Sequence, residues 1–284
     1  MSYYNLQPSS AVDLAFLNSA VTCADIEERD FPDWEEVLRD PARSPLERIR
    51  VQRQKMSDCQ GQALAGGTES RVDYATNKMI QLSDIYAYNC TERMGGAGNV
   101  GRDRGTNILQ GVRVLVEGIP GLGIKPGLPT EADWPYSTYE KSASRFEKRA
   151  REATMVSGCV TEQLPMPPFR TMLIALAARG TGHIGTKWPP RWQTINGRRY
   201  MANPPQGGGG HATFIVWAME AKGKGNGWTL CVWNSHGKGY YLMSESCYTW
   251  HQKRNFAPYG ARLLMPDKAK DRFVNWSTQS PWFE

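Results

Sequence analysis

The chain has 284 residues, 40% hydrophobic and 22% charged, with a formal net charge of +6; that is enough to bury a sizeable core in one large domain or two lobes. No apolar run approaches the length of a membrane span. The positive charge is scattered in small clusters such as Arg191, Arg198, Arg199 and Lys222, Lys224, which argues against a basic nucleic-acid-binding arm. Neither a membrane nor a nucleic acid is therefore expected as a partner, and no cofactor is expected.

Residues 1–45 read as an N-terminal extension. Asp30-Phe31-Pro32-Asp33-Trp34, Pro41 and Pro45 favour extended or turn structure, with a short helix around residues 34–38. From Gln60 to about Asn77 the pattern predicts a helix in which Ala63, Leu64, Gly67, Val72 and Ala75 share a face. Gly61, Gly66 and Gly67 lower its intrinsic propensity and imply close packing against another element. Ser83 is placed to cap a second helix running through Tyr88. A third helix spans Asn107 to Glu117, with Ile108, Val112, Leu115 and Val116 inward and Gly118 as its stop. A Gly- and Pro-rich stretch (Gly121 to Pro129) and a turn ending at Tyr136 precede a charged helix from Ser142 to Met155. Phe169 to Ala178 is one more helix. Then come short runs rich in aromatic and β-branched residues, read as strands: Thr181–Lys187, Ala212–Ala218, Trp228–Trp233, Tyr240–Met243 and Ala261–Leu264.

Cys59, His211 and Asn234 stand in contexts that suit nucleophilic catalysis. Cys59 lies where a loop turns into a helix. His211 follows four glycines and opens an apolar run, and Asn234 closes another. A thiol needs a base near neutral pH, and the base needs a third group to hold its ring. The bland alternatives are a buried inert thiol, a core or turn histidine and a turn asparagine. His183 and His251 read as core or turn histidines, and Cys231 as a small buried hydrophobe. The six cysteines contain no Cys-x-x-Cys pair, so a zinc site is not expected. Met1 to Gln7 carries no basic stretch followed by an apolar one, so no secretory signal is visible. The expected setting is cytoplasmic or virion-associated, with mostly free thiols.

These motifs resemble a papain-like cysteine peptidase. Glu69, Ser83 and Cys90 follow Cys59 by ten, twenty-four and thirty-one positions, the offsets of that family's Glu, its Ser in the Ser-Glu-Gln turn and its Asp-Cys cysteine. Asp103-Arg104-Gly105-Thr106 resembles the family's Gly-rich segment that binds substrate backbone. Glu131 with Trp134-Pro135-Tyr136, Gly210-His211-Ala212, and Asn234-Ser235-His236-Gly237 followed by Gly239-Tyr240 resemble further family motifs. The likeness covers about residues 46–265.

The resemblance implies an α+β, two-lobe fold. A helical lobe (46–155) would carry the nucleophile and a β-rich, barrel-like lobe (156–265) the base, with the site in the cleft and a C-terminal tail at 266–284. It implies Cys59 as nucleophile, its pKa lowered by the helix dipole and a nearby imidazolium. It further implies His211 as base, Asn234 as its orienter, Gln54 as oxyanion donor, and Gly105 and Gly210 as substrate-binding positions. Cys90 falls where the family often has a disulfide cysteine. Three departures stand out. Gln60 and His236 replace tryptophans, and the oxyanion-hole position holds Arg53, so that a one-residue deletion is needed to bring Gln54 into place. The implied activity is peptide hydrolysis through a thioester on Cys59, with a peptide or protein substrate. A second reading is a structural or interaction protein of a larger assembly, such as a virus particle, with a vestigial triad. A third is an acyltransferase that uses an amine in place of water.

Overall fold

The computed structural model describes residues 49–50, 54–76, 80–156, 160–165, 169–177, 180–188, 190–195, 197–206, 209–221, 227–236, 239–253 and 259–264. The expected extension (1–45), its short helix and the expected tail (266–284) lie outside the described residues.

Four helices come first: α1 (Cys59–Thr76), α2 (Asp84–Met94), α3 (Ile108–Val116) and α4 (Ala143–Glu152). Eight strands follow, β1 (Val160–Pro165), β2 (Gly180–Trp188), β3 (Trp192–Ile195), β4 (Arg198–Met201), β5 (Gly209–Ala221), β6 (Gly227–Trp233), β7 (Tyr240–Ser244) and β8 (Tyr259–Leu264). Two helices interrupt them, α5 (Phe169–Ala177) and α6 (Glu245–Gln252).

α1 is the pivot of the molecule. Its first turns are buried on every side, including Gln60, Gln62, Thr68 and Glu69. With three glycines and no acidic residue in its first turn, it is held by packing more than by propensity. A Cβ on Gly61 would collide with the carbonyl of Asp84 at the start of α2, and one on Gly67 would come within 3.0 Å of the His183 ring. Gly61 and Gly67 are thus contact points, as the sequence pattern implied. Ser83 caps α2 by accepting from Tyr86 N at 3.1 Å. The helix continues past Tyr88 to Met94 because its polar residues are satisfied across the fold. Asn89, for example, donates to Glu140 O and accepts from Glu140 N. Asn107 caps α3 through Leu109 N at 2.7 Å.

The strands form one open eight-stranded sheet in the order β1-β8-β2-β5-β6-β7-β4-β3. Every pairing is antiparallel except β4 with β7. β1, β3, β4 and α6 were not anticipated from sequence. β3 and β4 form a hairpin whose register pairs Ile195 with Arg198, with Gly197 at φ +73° in the connection; the sequence between the strands reads Asn-Gly. That dipeptide is the strongest short hairpin signal.

α1 packs on β5 and β2. On the face toward α1, His183 sits opposite Phe214; on the other face, Thr186 sits opposite His211. Leu64, Ile85, Leu109, Ile184 and Val232 are fully or almost fully buried, each such side chain contributing about 1.5–3 kcal/mol. Among the described residues, Cys59, Cys90, Cys231 and Cys247 are free and buried. Cys90 is therefore not a disulfide cysteine here; it lies beside Tyr86 in the core. No helix among the described residues is long and apolar enough to cross a membrane.

Candidate active site

Cys59 opens α1, so its side chain stands at the positive end of the helix. The loop before it is tied down at both ends. Ser57 N donates to Asp103 Oδ1 at 2.6 Å. The Asp58 carboxylate accepts from Gln62 Nε2 at 2.9 Å and from Tyr136 Oη at 2.8 Å. The sulfur itself accepts the backbone N–H of Ala212 at 3.4 Å, which places it at the strand residue next to His211.

His211 and Asn234 come together at 3.0 Å, Nε2 to Oδ1. The same Oδ1 accepts the backbone N–H of His236 at 3.2 Å. A backbone N–H can only donate, so this atom is the amide oxygen, and His211 Nε2 must carry a hydrogen. The neutral ring then has its lone pair on Nδ1, which is the nitrogen able to take a proton from a thiol.

His236 covers this pair. Its ring stacks on His211 with centroids 4.6 Å apart and planes inclined by 29°. Stacked rings do not exchange in-plane hydrogen bonds, so His236 does not compete with Asn234 for His211. Trp188, from the end of β2, closes the cluster, 5.1 Å from His236 and 4.5 Å from His211.

Gln54 lies against the turn after Asn234. Its N–H donates to Ser235 O at 3.0 Å, its Oε1 accepts from Ser235 Oγ at 2.9 Å, and its Nε2 donates to Met56 O at 2.8 Å. Arg53 lies outside the described residues. Gly105, at φ +76°, donates to Tyr88 Oη at 3.1 Å. Asp103 Oδ1 accepts from that hydroxyl too, at 3.1 Å, so the Gly105 loop and the nucleophile loop share one anchor. Gly210 sits in β5 opposite Lys187, next to His211. Among the described residues, no group of three His, Cys, Asp or Glu side chains is placed to hold a metal ion.

No family model matches the chain, and no curated protein matches it by sequence. Solved structures do. The chain is similar to xylellain, a cysteine protease from Xylella fastidiosa, with TM-score 0.57 and 16% identity over 92% of this chain and 96% of that one. It is similar to the digestive procathepsin L2 proteinase of Tenebrio molitor larval midgut, with TM-score 0.60 and 13% identity over 93% and 79%. It is also similar to the ragweed pollen allergen Amb a 11, a cysteine protease in its proform, with TM-score 0.53 and 15% identity over 86% of this chain. The chain spans 66% of the length of that ragweed protein. The fold is that of the papain-like cysteine proteases.

Within this papain-like fold the site has an unusual electrostatic setting. Cys59 is 1% exposed and His211 fully buried. Burial pushes the thiol up to about 12, the Ala212 N–H works against this, and the Asp58 charge adds to it. The expected lowering by a helix end and an imidazolium is thus outweighed by desolvation. Burial likewise pushes His211 down to about 3, assisted by His236 and opposed by Asn234. The resting pair is therefore a thiol and a neutral imidazole. Asp58 is driven up to about 7, chiefly by burial.

His183 and His251, read from sequence as core or turn histidines, are both buried in the core. His183 is buried against Gly67. His251 accepts from Lys187 N at 3.1 Å through Nε2, and its Nδ1 lies 2.8 Å from Cys247 O. Trp188 was missed. Its only sequence signal is the two-residue period of β2, which puts Ile184, Thr186 and Trp188 on the face shared with His211.

Proposed function

We propose that the protein is a cysteine peptidase in which Cys59, His211 and Asn234 act as nucleophile, base and orienter. The observation that carries this reading is their convergence from three separate elements. Cys59 Sγ meets the strand residue beside His211, while Asn234 holds the far ring nitrogen. In the reaction, His211 Nδ1 takes the Cys59 proton as Sγ attacks the scissile carbonyl. The oxyanion forms against the Cys59 N–H and the Gln54 amide, once Gln54 Nε2 turns from Met56 O. Collapse breaks the C–N bond, and His211 returns the proton to the leaving amine. Water, deprotonated by His211, then hydrolyses the thioester and regenerates the thiol. Gly105 and Gly210 flank the nucleophile and the base and would hold the peptide backbone between a helical part (46–155) and a β-rich part (156–265). The Tenebrio, Xylella and ragweed neighbours, all named as proteases or proteinases, support the reading.

One observation favours the second reading, a scaffold with a vestigial triad: Cys59 is closed off and its thiol disfavours ionisation. Labelling with a thiol-directed peptide electrophile, followed by peptide mapping, separates the two. Selective modification of Cys59, together with cleavage in a peptide library that Cys59→Ala abolishes, is the expected result. Absence of both sinks the peptidase reading.

A further inference from the structure

The proposed site contains a second imidazole where the papain-like family has a tryptophan. We propose that His236 is a positioning residue that sets the basicity of His211: neutral, it holds the plane of the base; protonated, it denies the base its proton. This rests on His211 being the base of the proposed reaction.

The geometry leaves little room for two charges. The ring centroids of His211 and His236 are 4.6 Å apart and the rings overlap face to face. Two imidazolium ions in that arrangement repel strongly at low dielectric. His211 is fully buried, whereas His236 is half-buried, so His236 takes the first proton more readily. Trp188 faces both rings and stabilises whichever one is cationic, without choosing between them. Asn234 fixes His211 Nε2, and the backbone N–H of His236 bonds the same oxygen. The base and its neighbour are therefore anchored on one atom and move together.

Several described groups surround the pair. From α1 comes the Cys59 thiol, preceded by the Asp58 carboxylate, which is turned to Gln62 and Tyr136. From β2 come Trp188 and, on the opposite face, Lys187. Behind Trp188 stands Trp192, with the Arg199 guanidinium of β4 3.8 Å from its ring centroid. From α6, His251 bonds the Lys187 N–H. None of these explains a contact between two imidazoles, and an indole or a phenyl ring would cover Asn234 equally well. What histidine adds is a site for a proton.

While His236 carries the proton, His211 is a weaker acceptor for the Cys59 proton and stays neutral to lower pH. Removing that competitor lets His211 take up a proton from solvent at higher pH. The pair titrates as a unit, with macroscopic steps belonging to both rings.

The test uses histidine resonances, which need no turnover. In Cys59→Ala protein, the His211 carbon and proton shifts are followed against pH, with and without His236→Phe. The expected result is that His211 titrates about one pH unit or more higher once His236 is gone. A His211 curve that does not differ between the two proteins overturns the proposal. Should the phenylalanine variant fail to fold, His236→Trp replaces it. In the Cys59→Ala protein itself, the His211 shift must also respond while His236 is protonated; a His211 shift blind to that step overturns the proposal too. In protein retaining Cys59, the acid limb of the alkylation rate should move to higher pH in His236→Phe, in step with the His211 titration. A wild-type Cys59 that resists alkylation counts against the peptidase reading alone, and the titration still decides the role of His236.

Discussion

Gly111 leaves its side-chain space to Gln60: a Cβ at position 111 would overlap the Gln60 amide nitrogen. Gln60 is the residue directly after the candidate nucleophile, where the papain-like family has tryptophan. Its Oε1 accepts from Thr91 Oγ1 at 3.2 Å and Thr106 Oγ1 at 3.3 Å. A buried polar network has thus replaced an indole, and α3 closes over it only because residue 111 has no side chain. Gly111→Ala should lower stability by about 1–3 kcal/mol through overpacking, read as a drop in denaturant midpoint. An unchanged midpoint would show that Gln60 can move aside at no cost.

Catalysis should divide the site residues by role. Cys59→Ala should abolish hydrolysis and His211→Ala should nearly do so. Asn234→Ala should be milder, because that amide orients the ring and transfers no proton. Gln54→Ala should cost on the order of 10²–10³ in turnover while leaving Cys59 alkylation largely intact. Equal losses of turnover and alkylation in Gln54→Ala would instead mark Gln54 as a structural tie to Ser235.

Asp58 makes stability depend on pH with a definite sign. Its folded pKa is raised from 3.8 to about 7. Between those values the folded protein holds a proton that the unfolded chain releases, so stability falls as pH rises. Asp58→Asn keeps an oxygen for Gln62 and Tyr136 but cannot ionise. The variant should lose less melting temperature than wild type between pH 4 and pH 7 (about 4 and 7 being the two ends of the Asp58 titration). His211 and His183, pushed down to about 3 and about 4 by burial, act in the opposite sense and lose stability as pH falls from 6.5. Comparing the variant with wild type cancels their contribution. Parallel melting curves would mean that Asp58 ionises in the folded protein at the same pH as in the unfolded chain.

Thiol chemistry should be strongly graded. Cys90, Cys231 and Cys247 are buried with thiols pushed upward, and they should resist alkylation until the protein unfolds. Among the four described cysteines, Cys59 should be the one that reacts under native conditions, more slowly than a free thiol because 1% of its surface is exposed. Intact-mass analysis with and without denaturant reads both. Early labelling of Cys90 or Cys231 would contradict the packing described.

Much of this was legible in the sequence because it depends on local chemistry. The offsets from Cys59 to Glu69, Ser83 and Cys90 follow from one helix, one turn and the next helix, and these occur as read. Glu69 accepts the Leu82 N–H at 2.7 Å, and Ser83 caps α2. The apolar runs around β5, β6 and β7 were visible because they are buried strands. What was hidden depends on distant partners. Among the described residues β1 pairs with β8 alone, at the far end of the described chain, and its composition gives no strand signal. α6 begins directly at the end of β7, and its Ser244 cap was masked by the adjoining strand pattern. The upward displacement of the Cys59 thiol was illegible as well, because motif spacing says nothing about solvent access. Trp188 reaches the site only through the pairing of β2 with β5.

Gln54 stands five positions before Cys59, yet a backbone bond and a side-chain bond fasten it to Ser235. In mechanical terms it travels with Asn234 and the base. A shear between α1 and the β5–β6 edge would part the nucleophile from the oxyanion donor and the imidazole together, as one piece. Assembly of the site then reduces to a single degree of freedom, the seating of the Cys59 end of α1 against an already finished partner.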